Sequence, residues 1–149
     1  MATAVLLCTD GSDLAIGALR RGLDVVAPGG RVVVATVVAL THPVDVVGTG
    51  MAGGVLTAGE ADQADDASRR AGQQVLDETC RQLGLTDVES VVLDGDPGAA
   101  LCELAASLPA TAMVIGTRGR GGLRRAVLGS VSDHVVRNAP CPVVVCTPG

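Results

Sequence analysis

With 149 residues and a formal net charge of −5, the chain is sized for one domain around one buried core. The charge argues against a general nucleic-acid binder, whose phosphate contacts need a basic face. Lysine, Phe, Tyr and Trp are all absent, so a Walker-type P-loop is excluded and any bound base must sit between aliphatic side chains.

The opening "MATAVLLCTD" has no basic region and its apolar run is too short for a leader or a membrane span. The expectation is a cytoplasmic protein without a membrane contact. "TAVLLCTD" reads as a first strand that ends in Asp-Gly-Ser. "SDLAIGALRRGLDVVA" has apolar residues near helical spacing, with Ser12 as cap, Asp13 in the first turn and "PGG" as the stop. "RVVVATVVAL" is a continuous β-branched run, as expected of a strand covered on both faces. "THPVDVVGTGMAGGVLTAG" is Gly-rich and aperiodic and reads as a long loop. A helix is expected from about Glu60 to Leu83, closed by "GL", with Val75, Leu76 and Leu83 facing the core.

"DVESVVLDGD" is a third strand, and "PGAALCELAASL" a helix with Pro97 in its favoured opening position. "ATAMVIGT" is the fourth strand. "GSVSDHVVRNA" is a short helix capped by Ser130, and "CPVVVCT" is the last strand. Strands alternate with helices throughout, which predicts a parallel sheet with helices on both faces. No repeat or linker interrupts residues 1–149, so one domain is expected. The five cysteines are odd in number and form no C-x-x-C pair; they read as reduced, mostly buried thiols.

Ligands in open parallel sheets gather beyond the carboxyl ends of the strands. Asp10 falls there after the first strand, and Gly116, Gly119 and Gly129 after the fourth. Glycine lets backbone N–H groups approach a ligand closely. Gly129-Ser130 opens a helix, where free N–H groups and the dipole favour an anion. The loop does not fit G-x-G-x-x-G, because Arg124 stands at the last position after Gly119 and Gly121. By composition alone this Gly/Arg segment has three readings: a phosphate cradle, a partner site or a plain loop. Asp10 equally reads as a turn residue, Ser130 as a simple cap, and Arg118, Arg120, Arg124 and Arg125 as a solvated cluster.

Gly116-x-x-Gly119, nine residues, then Gly129-Ser130 resembles the G-2x-G-9x-G-[S/T] motif of the universal stress proteins. "CTDGSDLA", "GDPGAALCELA" and "VRNAPCPVVVC" resemble segments of the same family, in the same order along the chain. The resemblance implies a five-stranded parallel sheet of order 3-2-1-4-5, of the Rossmann-like adenine-nucleotide α-hydrolase type. It also implies ATP binding, with Mg²⁺ an optional companion, in the subgroup that keeps the glycine motif. Carried over by position, Asp10 would hold the ribose and Val37 would meet the adenine through its backbone. Gly116, Arg118 and Gly119 would line the ribose and phosphates; Gly129, Ser130, Val131 and Ser132 would bind phosphate oxygens. Thr36 stands where the family often has histidine. The resemblance further implies a homodimer formed through the closing strand, Pro142 to Cys146. The function so implied is a regulatory, stress-response module with ATP as bound effector. The rivals are a slow ATP hydrolase or nucleotidyl-transfer relative and an interaction protein with a vestigial site. His42 and His134 have no metal-spaced partners and no G-x-S-x-G or H-E-x-x-H occurs, so neither a metal site nor a catalytic residue is expected.

Overall fold

The computed structural model describes residues 3–26, 29–40, 57–117 and 128–148. Among these residues five strands alternate with four helices. They are β1 (Ala4–Cys8), α1 (Asp13–Val26), β2 (Arg31–Val38), α2 (Ala58–Leu83), β3 (Glu89–Asp94), α3 (Pro97–Ser107), β4 (Ala110–Gly116), α4 (Ser130–Asn138) and β5 (Val143–Cys146). The strands form one parallel sheet of order β3-β2-β1-β4-β5, the order expected from the sequence.

The apolar runs divide between two cores because successive side chains point to opposite faces. Leu6, Cys8, Val33, Ala35, Met113 and Ile115 pack with Leu101 and Ala105 of α3 and Val135 of α4. Val5, Leu7, Val32, Val34 and Val114 pack with Leu19 of α1 and Leu76 of α2. Both faces are therefore covered, which is why β1 is buried at every position and carries no polar alternation.

Helix α1 buries Ala15, Ala18, Leu19 and Gly22 at helical spacing. Gly22 sits hard against the sheet: a Cβ there would stand 2.2 Å from Val114 Cγ1 and 3.3 Å from Cys146 Sγ. Helix α2 starts two residues before the expected Glu60. Its cap is Thr57, whose side chain accepts from the Glu60 N–H while the Glu60 carboxylate takes the Thr57 N–H, a reciprocal capping box. It ends as expected on Gly84 in the left-handed conformation, φ 66°. Only Gly72, Leu76 and Thr79 of α2 are buried. Arg69 pairs with Asp94 at the carboxyl end of β3, and the helical turns before it are roughly 16 Å long at 1.5 Å per residue. Leu83 packs at the margin of a core. Val75 does not join either one; it is half-buried and lies over Gly11.

Two further expectations are corrected. The N-cap of α4 is Gly129, with no side-chain cap bond, so Ser130 is the first helical residue and not the cap. Of the five free cysteines only Cys8 is fully buried, and Cys80, Cys102, Cys141 and Cys146 are half-buried.

Candidate functional site

The strand order reverses between β1 and β4, which lie side by side in parallel register, Leu7 opposite Val114. The chain leaves β1 toward β2 and leaves β4 toward β5, opening a crevice at their carboxyl ends, where ligands bind in such sheets. Three segments meet at this end: the turn after β1, the residues after β4 and the start of α4.

The turn after β1 is built from local hydrogen bonds. The Thr9 N–H donates to the Ala35 carbonyl (3.0 Å) and prolongs the ladder. Thr9 Oγ1 accepts from the Gly11 N–H at 3.0 Å. Asp10 Oδ1 accepts from the Ser12 N–H (2.9 Å) and the Ser12 hydroxyl (2.6 Å). Ser12 Oγ in turn accepts from the Ala15 N–H at 3.2 Å and so caps α1 as expected. Gly11 has φ 77°, and a Cβ on it would stand 2.8 Å from Val75 Cγ1. Backbone and packing both demand glycine here. The turn fixes Asp10 through Oδ1, an Asx-type arrangement.

Thr117, directly after β4, ties three elements together. Its N–H donates to the Cys146 carbonyl (3.0 Å) and its own carbonyl accepts from the Gly129 N–H (2.8 Å). The Ser132 hydroxyl also donates to the Thr117 carbonyl (3.2 Å) and to the Gly129 carbonyl (3.0 Å). The Thr117 hydroxyl oxygen is buried and has no hydrogen-bond partner among the described residues, a state that costs roughly 1–3 kcal/mol. Nothing in the sequence singled Thr117 out except its place one residue past a strand.

Helix α4 opens toward the same crevice. The Asp133 N–H donates to the Gly129 carbonyl at 2.9 Å, so the amides of Ser130, Val131 and Ser132 precede the helical ladder. With no side-chain cap, these donors and the helix dipole favour an anion. Asp133 in the first turn opposes this but is ion-paired to Arg137 at 3.0 Å. The structure thus brings Asp10, Gly116, Gly129, Ser130, Val131 and Ser132 to one end of β1 and β4. Val37 lies near the carboxyl end of β2, half-buried, opposite Leu93. Arg118 and Gly119, with Arg120, Arg124 and Arg125, lie outside the described residues.

A phosphate-bearing ligand fits what is present: an uncapped helix start, an orphaned hydroxyl beside it and a glycine at each side of the crevice. Among the described residues no group of three or more His, Cys, Asp or Glu side chains could hold a metal ion. His134 is packed against Gly98, where an added Cβ would stand 2.6 Å from its ring. Burial pushes the Cys8 thiol far above its ordinary range, and the neighbouring Cys102 and Cys141 add to the shift, so Cys8 is no nucleophile. A groove of about 560 Å³ lies at the opposite end of the sheet, between Gly30–Val32 and Gly84–Glu89. No helix among the described residues is long and apolar enough to cross a membrane.

Comparison with known proteins bears on the family and the fold. A universal stress protein of Methanocaldococcus jannaschii is 28% identical over 144 residues, 95% of this chain and 79% of that protein. The chain spans about half the length of several other curated relatives it matches, among them staphylococcal ones. A universal stress protein solved in complex with cAMP is 25% identical with a TM-score of 0.64, covering 99% of this chain and 98% of the other. The Archaeoglobus fulgidus universal stress protein in complex with dAMP is 18% identical with a TM-score of 0.60, covering 98% of each chain; this second likeness is one of fold. The model of the universal stress protein family matches residues 1–147, and the chain belongs to that family.

Proposed function

We propose that this protein binds an adenine nucleotide, ATP foremost, at the carboxyl ends of β1 and β4, and that the nucleotide acts as a regulatory effector in a stress-response module. The observation that carries this reading is the uncapped start of α4 beside the orphaned Thr117 hydroxyl. Both are polar groups at the switch point of the sheet, and a phosphate would satisfy them. The cAMP complex of a similar protein supports the adenine-nucleotide class, and the glycine motif supports the triphosphate. In this reading Asp10 holds the ribose and Val37 offers its backbone to the adenine. Gly116, Arg118 and Gly119 line the ribose and phosphates, and Gly129, Ser130, Val131 and Ser132 take the phosphate oxygens, with Mg²⁺ as an optional companion. Two subunits pair through β5 and the residue before it, Pro142 to Cys146.

Calorimetric titration with ATP, AMP and cAMP tests this. The expected result is a micromolar dissociation constant for ATP, about −8 kcal/mol, with weaker binding of AMP. Absence of heat and of any thermal shift at millimolar nucleotide would overturn the reading. A phosphate-release assay on the same samples is expected to show no turnover beyond background.

A further inference from the structure

Ser132 is 3% exposed and its hydroxyl proton is already engaged within the protein. It faces the Thr117 carbonyl at 3.2 Å and the Gly129 carbonyl at 3.0 Å. The same Thr117 carbonyl receives the Gly129 N–H at 2.8 Å. Thr117 follows Gly116, the first motif glycine, and Gly129 is the last, so one buried hydroxyl spans the point where both ends of the glycine segment meet. The Thr117 N–H is tied to Cys146, which anchors that end to the sheet edge as well.

On the reading that this end of the sheet binds nucleotide, we infer that Ser132 is a positioning residue whose side chain clasps Thr117 and Gly129 rather than a side-chain ligand of phosphate. Its contribution to the ligand is its backbone N–H at the start of α4. Its hydroxyl holds Gly129, and with it the amides of Ser130 and Val131, at a set place relative to Gly116 before any ligand arrives. A hydrogen bond from a buried hydroxyl to a carbonyl already bonded by an amide costs little desolvation. Removing it takes away the one proton that the two carbonyls share. The preset geometry spares the ligand the work of ordering the site.

The clasp exists without ligand, so it is measured without ligand. Amide hydrogen exchange is followed by NMR in the wild type, Ser132→Ala, Ser132→Cys and Ser132→Thr, each free of nucleotide. The Gly129 amide of S132A is expected to exchange roughly tenfold faster, the equilibrium worth of one such bond. S132C, a weak donor, lies between, and S132T restores protection because it returns the hydroxyl. Amides in the last turn of α4 stay unchanged in all variants, which separates the clasp from loss of the helix. ATP affinity is measured in parallel: S132A loses several-fold for ATP while adenosine binding is unmoved, and S132T recovers it. Unchanged Gly129 exchange in S132A together with lost ATP affinity would mean a direct phosphate ligand and would overturn the clasp. Unchanged exchange with unchanged affinity overturns it too. If S132A cannot be folded, the S132C and S132T pair decides by the same criteria. If the wild type binds no nucleotide, the exchange result still decides the clasp, and only the nucleotide reading falls.

Discussion

A hydroxyl buried without a partner destabilises the molecule that carries it, and Thr117 is in that position among the described residues. Thr117→Val keeps the shape and removes the orphan. It is expected to raise the stability of the nucleotide-free protein by about 1 kcal/mol and to weaken ATP binding. Urea denaturation beside calorimetry gives both signs, and a loss of stability would show that the hydroxyl is partnered after all. Glycines give the opposite kind of test. Gly11→Ala meets a positive φ and the Val75 side chain at 2.8 Å, for a cost of about 1–3 kcal/mol. Gly29→Ala meets nothing within 4 Å and is expected to leave the denaturation midpoint unchanged or slightly raised. The places of Asp10, Gly116 and Gly129 at the end of the sheet could be read from the sequence because turn chemistry and motif spacing are local. Thr117, Val75 and the Ser132 clasp could not, since each acts through a partner brought in by the sheet or by a distant helix. The Ser130 cap failed for a related reason: a serine at a helix start reads as a cap, and only the backbone shows that Gly129 takes that place.

At the scale of the element, α2 carries the most exposed electrostatics. The Arg81 guanidinium beside Glu78, helped by Gln82, holds that carboxyl down to about 2, and hydrogen bonds from Thr57 lower Glu60. Both folded values lie below the ordinary 4.5. Their support for the helix is therefore complete above that value and is lost as pH falls through the folded values. Helix content followed by circular dichroism from pH 6 to pH 1.5 is expected to fall, and Glu78→Gln flattens the acid limb. A fall of the same size in the variant would assign the effect elsewhere. Thr57→Ala removes half of the capping box and is expected to cost about 0.5–2 kcal/mol. The places of α1, α3 and the strands were legible to within two residues, and the end of α2 with them, because apolar periodicity, Pro97 and Gly84 mark them. The start of α2 was misplaced by two residues because Ala58 and Gly59 carry no apolar signal, while the Thr57–Glu60 box does its work through backbone bonds.

For the whole molecule, alternating apolar strands and helices were enough to imply a parallel sheet covered on both faces, but its strand order came from the resemblance. Periodicity cannot tell which side of β1 receives β4. The order leaves β5 at an edge, with Val143 and Val145 against one core and Val144 and Cys146 against the other. An open edge of β-branched residues is a template for pairing, and a two-fold axis closes two such edges at once. Val144→Pro removes a ladder donor and is expected to convert a dimer to a monomer in sedimentation at tens of micromolar. A wild type that sediments as a monomer under these conditions would contradict the pairing. The central claim is that an adenine nucleotide sits at the start of α4, and amide chemical shifts during an ATP titration test it most directly. The largest changes are expected at Gly116, Thr117 and Ser130 to Ser132, followed by Asp10, and they are expected to vanish in Gly129→Val. Changes centred on Gly84 to Glu89 at the far end of the sheet, or no changes at millimolar ATP, would contradict it.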